Sequence, residues 1–345
     1  MRIGNNPEKT ANNLVVENYH RIVIPVYIPN FEGYFEQAFE VFRLCLESIL
    51  LTIHEKTRIT IYNNNSNDII KNYLDSKYEE SKFIDQVFHS KENLGKINAI
   101  LAAVKGNLEP IVTITDADVL FKQNWQSEVE VILKNFPQAG MVSPVPSSIA
   151  FNNRTANNWI YALFRGKLFF GSVIDPLGLQ RLDDSLGNEI KFYKKVHLEK
   201  YLILKNKSNN QEAVMGCGHF VATIRREVFD KGTAEPAFIK IQKGVEGKFI
   251  DLPNEELGFL RLATKNNLAY HMGNRTEKWM YEEFELLKTI KPNVSIDYND
   301  LKSSIRFNFI QMKIGRLISR ILAKKTFRDI FFKYKGLSNS EITEY

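Results

Sequence analysis

Cysteine is nearly absent from this 345-residue chain: there are two, Cys45 and Cys217, and neither sits in a Cys-x-x-Cys pair. Such a pair makes no disulfide framework and no structural zinc site, so a reducing compartment is favoured and both thiols read as buried, small apolar groups. Long hydrophobic runs are missing too. No segment offers about 18 uninterrupted apolar residues, and the first twenty residues hold no apolar stretch of signal-peptide length. The expectation is a cytoplasmic chain, neither exported nor threaded through a bilayer. The first predicted strand is not followed by a Gly-rich phosphate loop, which argues against a sugar nucleotidyltransferase, and there is no internal repeat. Charge is scarce in the body and concentrated at one end. Of 46 Lys or Arg and 40 acids, residues 301–345 hold ten and three, which leaves the first 300 residues at −1. A near-neutral body with one basic tail is not the footprint of a nucleic-acid binder, and no nucleic-acid partner is expected.

What is present is an ordinary globular composition, 44% hydrophobic and 25% charged, arranged in alternating elements. Arg21 to Ile28 is a short β-branched run interrupted by Pro25, suited to the end of a parallel strand. Residues 34–53 place Phe35, Phe39, Phe42, Leu46, Ile49, Leu50 and Ile53 at spacings that predict an amphipathic helix. Ile59 to Tyr62 reads as a second strand, and the polar run Asn63 to Asp68 can cap a helix starting near Ile69. Gln86 to His89, a helix with Ile97, Ile100, Leu101 and Val104, and the run Ile111 to Thr115 follow. This alternation predicts an α/β, mostly parallel sheet with helices on both faces. Ligands bind beyond the C-terminal strand ends of such sheets, where Pro25/Tyr27, the Asn cluster, Asn93/Lys96 and Asp116-Ala117-Asp118 all fall. Further on, residues 150–210 read as an acceptor-side insertion, Gly216 to Arg226 as a strand leading into a short helix, Glu255 to Lys265 as a helix, and Leu268 to Met272 as a strand.

Asp116 and Asp118 are the sharpest chemical feature. Two carboxylates one residue apart, just past a buried strand, can both approach one divalent cation, and Mg²⁺ commonly binds through one or two carboxylates plus substrate phosphates. The same pair also occurs in capped loops, so its context decides. His271, in Tyr270-His271-Met272, is a further metal-ligand candidate, although a histidine beside a strand is often simply hydrogen-bonded. His219 is a weaker candidate for acceptor contacts. Trp159, Tyr161, Phe164 and Phe169 can stack on sugar rings or belong to the core.

The segments IVIPVY, YNNNSND, NLGK, TITDADVLF and GCGHFVATIRREVF resemble, in order and spacing, family 2 of the glycosyltransferases with the Rossmann-like GT-A fold. The resemblance spans residues 20–275 and is densest from 20 to 125. It implies transfer of a sugar, hexosyl or N-acetylhexosaminyl, from a nucleotide-diphospho-sugar, UDP-sugars favoured, to a hydroxyl of a glycan or lipid-linked glycan, as in bacterial-type surface polysaccharide or glycolipid assembly. It implies that Pro25 and Tyr27 lie at the nucleotide, and that Asn63, Asn64 and Asn65, with Ser66 and Asp68, replace an acidic segment holding the base. Asn can still accept a ring N–H bond there. Lys96 is implied at the diphosphate or the base, and Asp116 and Asp118, with His271, at Mg²⁺ or Mn²⁺. An inverting transferase needs a carboxylate to take the acceptor proton. The family uses the Asp of a Glu-Asp pair opening a helix, and here Glu255 and Glu256 occupy that place. Counting back from Arg261 selects Glu255, and matching the acidic pair selects Glu256. A catalytically silent sugar-nucleotide or glycan-binding module on the same fold is the alternative.

The expected organisation is a polar lead-in over 1–19, a GT-A domain over 20–290 (nucleotide-sugar half 20–125, acceptor-side half 126–290), and a basic helical tail over 291–345. Residues 305–334 place Phe307, Ile310, Ile314, Leu317, Ile318, Ile321 and Leu322 on one stripe, and Lys313, Arg316, Arg320 and Lys324 on another face. Such a tail can lie on an anionic membrane surface at the inner face of the membrane, or dock on the protein's own body.

Overall fold

The computed structural model describes residues 14–232, 235–240, 244–290 and 304–345, with Ile3, Gly4, Asn6, Lys9 and Leu301. Its strands are β1 His20–Val26, β2 Thr57–Asn64, β3 Ile84–Ser90, β4 Ile111–Thr115, β5 Val119–Phe121, β6 Ala139–Ser143, β7 Gly166–Ser172, β8 Lys200–Asn206, β9 Glu212–Met215, β10 Val221–Arg225, β11 Leu260–Ala263 and β12 Ala269–His271. The helices of the first half are α1 Ala38–Thr52, α2 Asp68–Glu80, α3 Lys96–Lys105 and α4 Trp125–Asn135. Those of the second half are α5 Ala156–Phe164, α6 Pro176–Ser185, α7 Lys195–Glu199, α8 Arg226–Lys231, α9 Leu252–Glu256 and α10 Lys278–Leu287. The tail forms α11 Phe309–Leu322, α12 Lys325–Tyr334 and α13 Asn339–Glu344.

Ten strands make one mixed sheet in the order β3-β2-β1-β4-β10-β6-β11-β9-β8-β7. The first four are parallel to one another. Ile22, Val23 and Ile24 of β1 are fully buried, as a central strand covered on both faces requires. The core divides accordingly. One cluster holds the apolar side of α1 with Ile22 and Ile24, and the other holds Val23 with Ile97, Ile100 and Val104 of α3. Antiparallel β10 then joins β4 to β6. Residues 150–210 are built into the sheet's far edge, where β7 and β8 pair antiparallel.

One predicted element is replaced. Residues 255–265 are not a helix: the helical stretch starts at Val245, passes through a π-helical turn at Gly247–Asp251 and α9, and stops at Gly258. Gly258 has φ +83°, and a Cβ there would stand 2.5 Å from the carbonyl oxygen of Phe307. Leu260–Ala263 then becomes a strand buried along its whole length, between β6 and β9. A short apolar run of this kind looks alike in sequence whether it is helix or central strand.

At the N-terminal end of β1, away from the strand ends that face ligands, Glu130 is buried among three partners. His20 Nδ1 lies 2.7 Å and His54 Nε2 2.9 Å from Oε1, and Tyr19 donates its hydroxyl to Oε2 at 2.9 Å. Burial by itself would raise the Glu130 carboxyl, but the two histidines outweigh it and hold the group below its ordinary value. Glu130→Ala removes the one charged acceptor that Tyr19, His20 and His54 share in a dry site. It is expected to cost about 3–5 kcal/mol in urea unfolding, against less than about 0.5 kcal/mol for exposed Glu79→Ala. Equal midpoints for the two variants would refute the assignment.

The tail docks. Gly315 brings α11 so close to α5 that a Cβ would stand 2.4 Å from the carbonyl oxygen of Ala156, and Phe332 of α12 is buried against Phe151, Phe170 and Tyr345. The apolar stripe expected on one face is divided: Phe307 is buried and Ile318 and Leu322 pack on the core, while Ile310, Ile314, Leu317 and Ile321 face outward. The expected boundary at 290/291 lies outside the described residues.

Candidate active site

Beyond the C-terminal ends of β1, β2 and β4 lies a cleft of about 460 Å³, lined by Pro25, Tyr27, Asn64, Lys96, Asp116 and Asp118 among others. Its size suits a nucleotide-sized ligand. The loop entering α3 is built by amides. Asn64 Oδ1 accepts from the Leu94 N–H and its Nδ2 donates to Asn93 Oδ1, which also accepts from the Gly95 N–H, each at 2.9 Å. Gly95 has φ +84°, and a Cβ would meet the Lys240 backbone at 2.7 Å, so only glycine lets the two segments close over the cleft and deliver Lys96. Lys240 lines the cleft as well, a cation that no sequence pattern singled out.

The Asn cluster separates into roles. Asn63 does not line the cleft: it is buried, with Nδ2 2.9 Å from His89 Nδ1 and Oδ1 accepting from the Ser66 N–H at 2.8 Å. Asn67 caps α2 through the Ile70 N–H. Asp68 is exposed at the start of that helix. Asn65, in the left-handed region at φ 70°, is exposed and lines an adjoining groove with Tyr27 and Asn93.

Asp116-Ala117-Asp118 is pinned at both ends. The Asp116 N–H donates to the Phe220 carbonyl and the Met272 N–H to the Asp118 carbonyl, both at 2.8 Å. Antiparallel pairing of β12 with β5 sets His271 opposite Val119, so a residue 153 positions later in the chain arrives beside Asp118. His271 Nε2 lies 3.6 Å from Asp118 Oδ2, while Nδ1 lies 2.9 Å from Ser185 Oγ, which orients the ring. Ligand atoms of Asp116, Asp118 and His271 all fall within 4.8 Å of one another. Asp118 Oδ1 is buried with no hydrogen-bond partner among the described residues. Burial pushes the Asp118 carboxyl up, with His271 opposing and Asp116 reinforcing. A half-buried, like-charged, half-satisfied carboxylate with an oriented histidine fits a hard divalent cation, and these three residues can hold one.

Lys96 Nζ forms a close ion pair with Asp116 and lies 3.4 Å from Glu246 Oε1. Burial by itself would lower its pKa, but the two carboxylates raise it above the ordinary lysine value, so it stays cationic. Glu246, in the first turn of the helical stretch that starts at Val245, is not part of the cleft lining but reaches Lys96, which is. Glu255 and Glu256 do not line the cleft. Glu255 is buried in the company of Arg154, Arg316 and Arg261, with burial raising its carboxyl and the arginines opposing, and Glu256 is exposed to solvent.

Further along the same helical stretch, Asp251 forms a second pair. His219 Nδ1 lies 3.0 Å from Asp251 Oδ2, which Arg261 also reaches at 3.1 Å. Burial would raise the Asp251 carboxyl, but Arg261 and His219 win and hold it low. His219 is 34% exposed and directly precedes Phe220, whose carbonyl holds Asp116. The aromatic candidates lie elsewhere: Trp159 and Tyr161 are buried in the core, Phe164 is exposed, and neither these nor Phe169 lines the cleft.

Residues 22–233 match the family model described as glycosyl transferase family 2, well over half the chain. The chain belongs to glycosyl transferase family 2. This transferase matches no curated protein sequence. Among solved structures it is similar to S. aureus TarS residues 1–349 in complex with UDP-GlcNAc, at 11% identity and TM-score 0.43, covering 79% of this chain and 66% of that one. It is also similar to GalNAc-T7 with UDP, GalNAc and Mn²⁺, at 15% identity and TM-score 0.43, covering 73% of this chain and 43% of that one. The transferase thus spans about two thirds or less of each of these chains. The GT-A fold class expected from the sequence agrees with the family and with the mixed sheet flanked by helices.

Proposed function

We propose that this transferase moves a sugar from a nucleotide-diphospho-sugar, a UDP-sugar favoured, to a hydroxyl acceptor with inversion at the anomeric carbon. The observation that carries the reading is that Lys96, in the cleft lining, joins the Asp116/Asp118/His271 cluster on one side to Glu246 on the other. The first three residues would hold a divalent cation, which when bound neutralises charge on the departing diphosphate. Asn65 and Tyr27 border the nucleoside, and Asn64 and Asn93 hold the loop that presents Lys96 to the diphosphate. Glu246 takes the proton of the acceptor hydroxyl as its oxygen attacks the anomeric carbon from the face opposite the leaving group. Departure of the diphosphate then completes an exchange in which one C–O bond forms and one breaks. His219, held by Asp251, borders the acceptor. The acceptor class we favour is a glycan or lipid-linked glycan of surface polysaccharide or glycolipid assembly, modified on the cytoplasmic side of a membrane.

A donor panel tests this. With Mn²⁺ present, at least one UDP- or GDP-sugar at a hundredfold excess over its Kd is expected to raise Tm by roughly 5 °C and to release nucleoside diphosphate slowly. Donor binding with no release for any donor would instead establish a silent binding module, and no binding by any donor would remove the reading altogether.

A further inference from the structure

Tail docking leaves a surface that the transfer chemistry does not use. On the outward side of α11, Ile310, Ile314, Leu317 and Ile321 follow one another at spacings of four, three and four residues, which places them on one narrow stripe. All four are exposed, Ile310 at 69% and Leu317 at 57%. Lys313 and Arg320, seven residues apart, are exposed cations beside that stripe, and Lys324 is exposed in the turn that follows α11. On α12 the pattern repeats: Phe327, Ile330 and Tyr334 are exposed in a row, Tyr334 at 81%, with Lys325 and Lys333 exposed as well. Asn308 caps α11 through the Gln311 N–H, and Gly315 and Phe332 fasten the two helices to the body, so the outward faces are held rigidly. Aliphatic and aromatic rows of this kind on a protein surface mark an interaction face.

We propose that the outward faces of α11 and α12 dock on an anionic lipid surface, with the apolar rows entering the headgroup boundary and the lysines and arginines pairing with lipid phosphates. Charge and geometry select this occupant over the others. A second copy seated on the same face in a twofold pairing would bring the cations of the two chains together, a like-charge contact. A nucleic acid would use the cations but leave the four aliphatic residues of α11 without a partner. An anionic bilayer interface satisfies the apolar rows and the cations at once. No described helix is long and apolar enough to cross a membrane, so the mode is attachment from one side.

The test is co-sedimentation of the full chain with vesicles of phosphatidylcholine alone or containing phosphatidylglycerol. Binding is expected only with the anionic lipid and is expected to weaken as salt rises. The triple variant Lys313→Gln, Arg320→Gln, Lys324→Gln is expected to bind on the order of a hundredfold more weakly. The double variant Ile314→Glu, Leu317→Glu is expected to lose binding, with the far-UV spectrum and the donor-induced Tm shift unchanged in both variants. Sedimentation that is equal with and without phosphatidylglycerol, or parental binding by both variants, would overturn the proposal. So would a stable dimer in solution that Leu317→Glu dissociates. Because the readout is lipid binding, its failure would leave the donor chemistry standing.

Discussion

Glu246→Gln is expected to lower kcat by about 10²–10⁴-fold while the donor KM changes little, the signature of a lost general base. The amide keeps the size and one oxygen of the carboxylate but cannot take a proton. Lys96 keeps its close contact with Asp116 in this variant, so the loop entering α3 and the donor side of the cleft stay in place. Glu255→Gln is the internal comparison. Its carboxylate sits beneath the tail among Arg154, Arg316 and Arg261, so its replacement is expected to change stability and leave the rate within a fewfold range. Steady-state kinetics on the two variants, with the donor found by the panel, decides between them. Parental turnover in Glu246→Gln together with a collapse in Glu255→Gln would return the role to the later acid. Parental turnover in both would move it to the His219–Asp251 pair.

The second large effect is on the other side of Lys96. Asp118→Asn is expected to abolish the Mn²⁺-dependent part of the donor-induced Tm shift and to reduce turnover by about 10³-fold, or about 4 kcal/mol of transition-state stabilisation. The metal-free protein should respond in the opposite sense. Asp118 holds a buried oxygen with no hydrogen-bond partner among the described residues and stands beside Asp116, so removing its charge relieves repulsion and desolvation. The metal-free Tm should therefore stay level or rise while the metal response disappears. A metal-free Tm that falls by several degrees would make Asp118 a structural residue, and a retained Mn²⁺ response would place the cation elsewhere.

Much of the donor side was legible before the fold was known. Pro25, Tyr27, Asn64, Lys96, Asp116 and Asp118 all line the cleft. They do so because each parallel strand must end where its crossover begins, and polar residues at those ends share one edge of the sheet. Asn63 shows the limit. It sits in the same polar run, yet its amide is used on His89 and Ser66, and hydrogen-bond partners of that kind are fixed by neighbouring strands. His271 was nameable as a ligand candidate, but what sets it next to Asp118 is the pairing of β12 with β5.

The sequence by itself determined the alternation of strands and helices through residue 125, the chemistry gathered at their ends, and the amphipathic, basic character of the tail. These are local properties: hydrophobic period, β-branching, capping amides and charge spacing act within a few residues of where they are written. Only the tertiary structure decided which acid meets Lys96 and which side of the tail faces outward. Gly258 against Phe307 ends the helical stretch and leaves Leu260–Ala263 to form a central strand, while the stretch itself begins at Val245 and sets Glu246 against Lys96. Gly315 against Ala156 selects the docked face of α11 and leaves Ile310, Ile314, Leu317 and Ile321 outside. Both outcomes depend on close approaches between segments dozens to more than a hundred residues apart, and sequence period carries no information about which distant backbone will press against a given glycine.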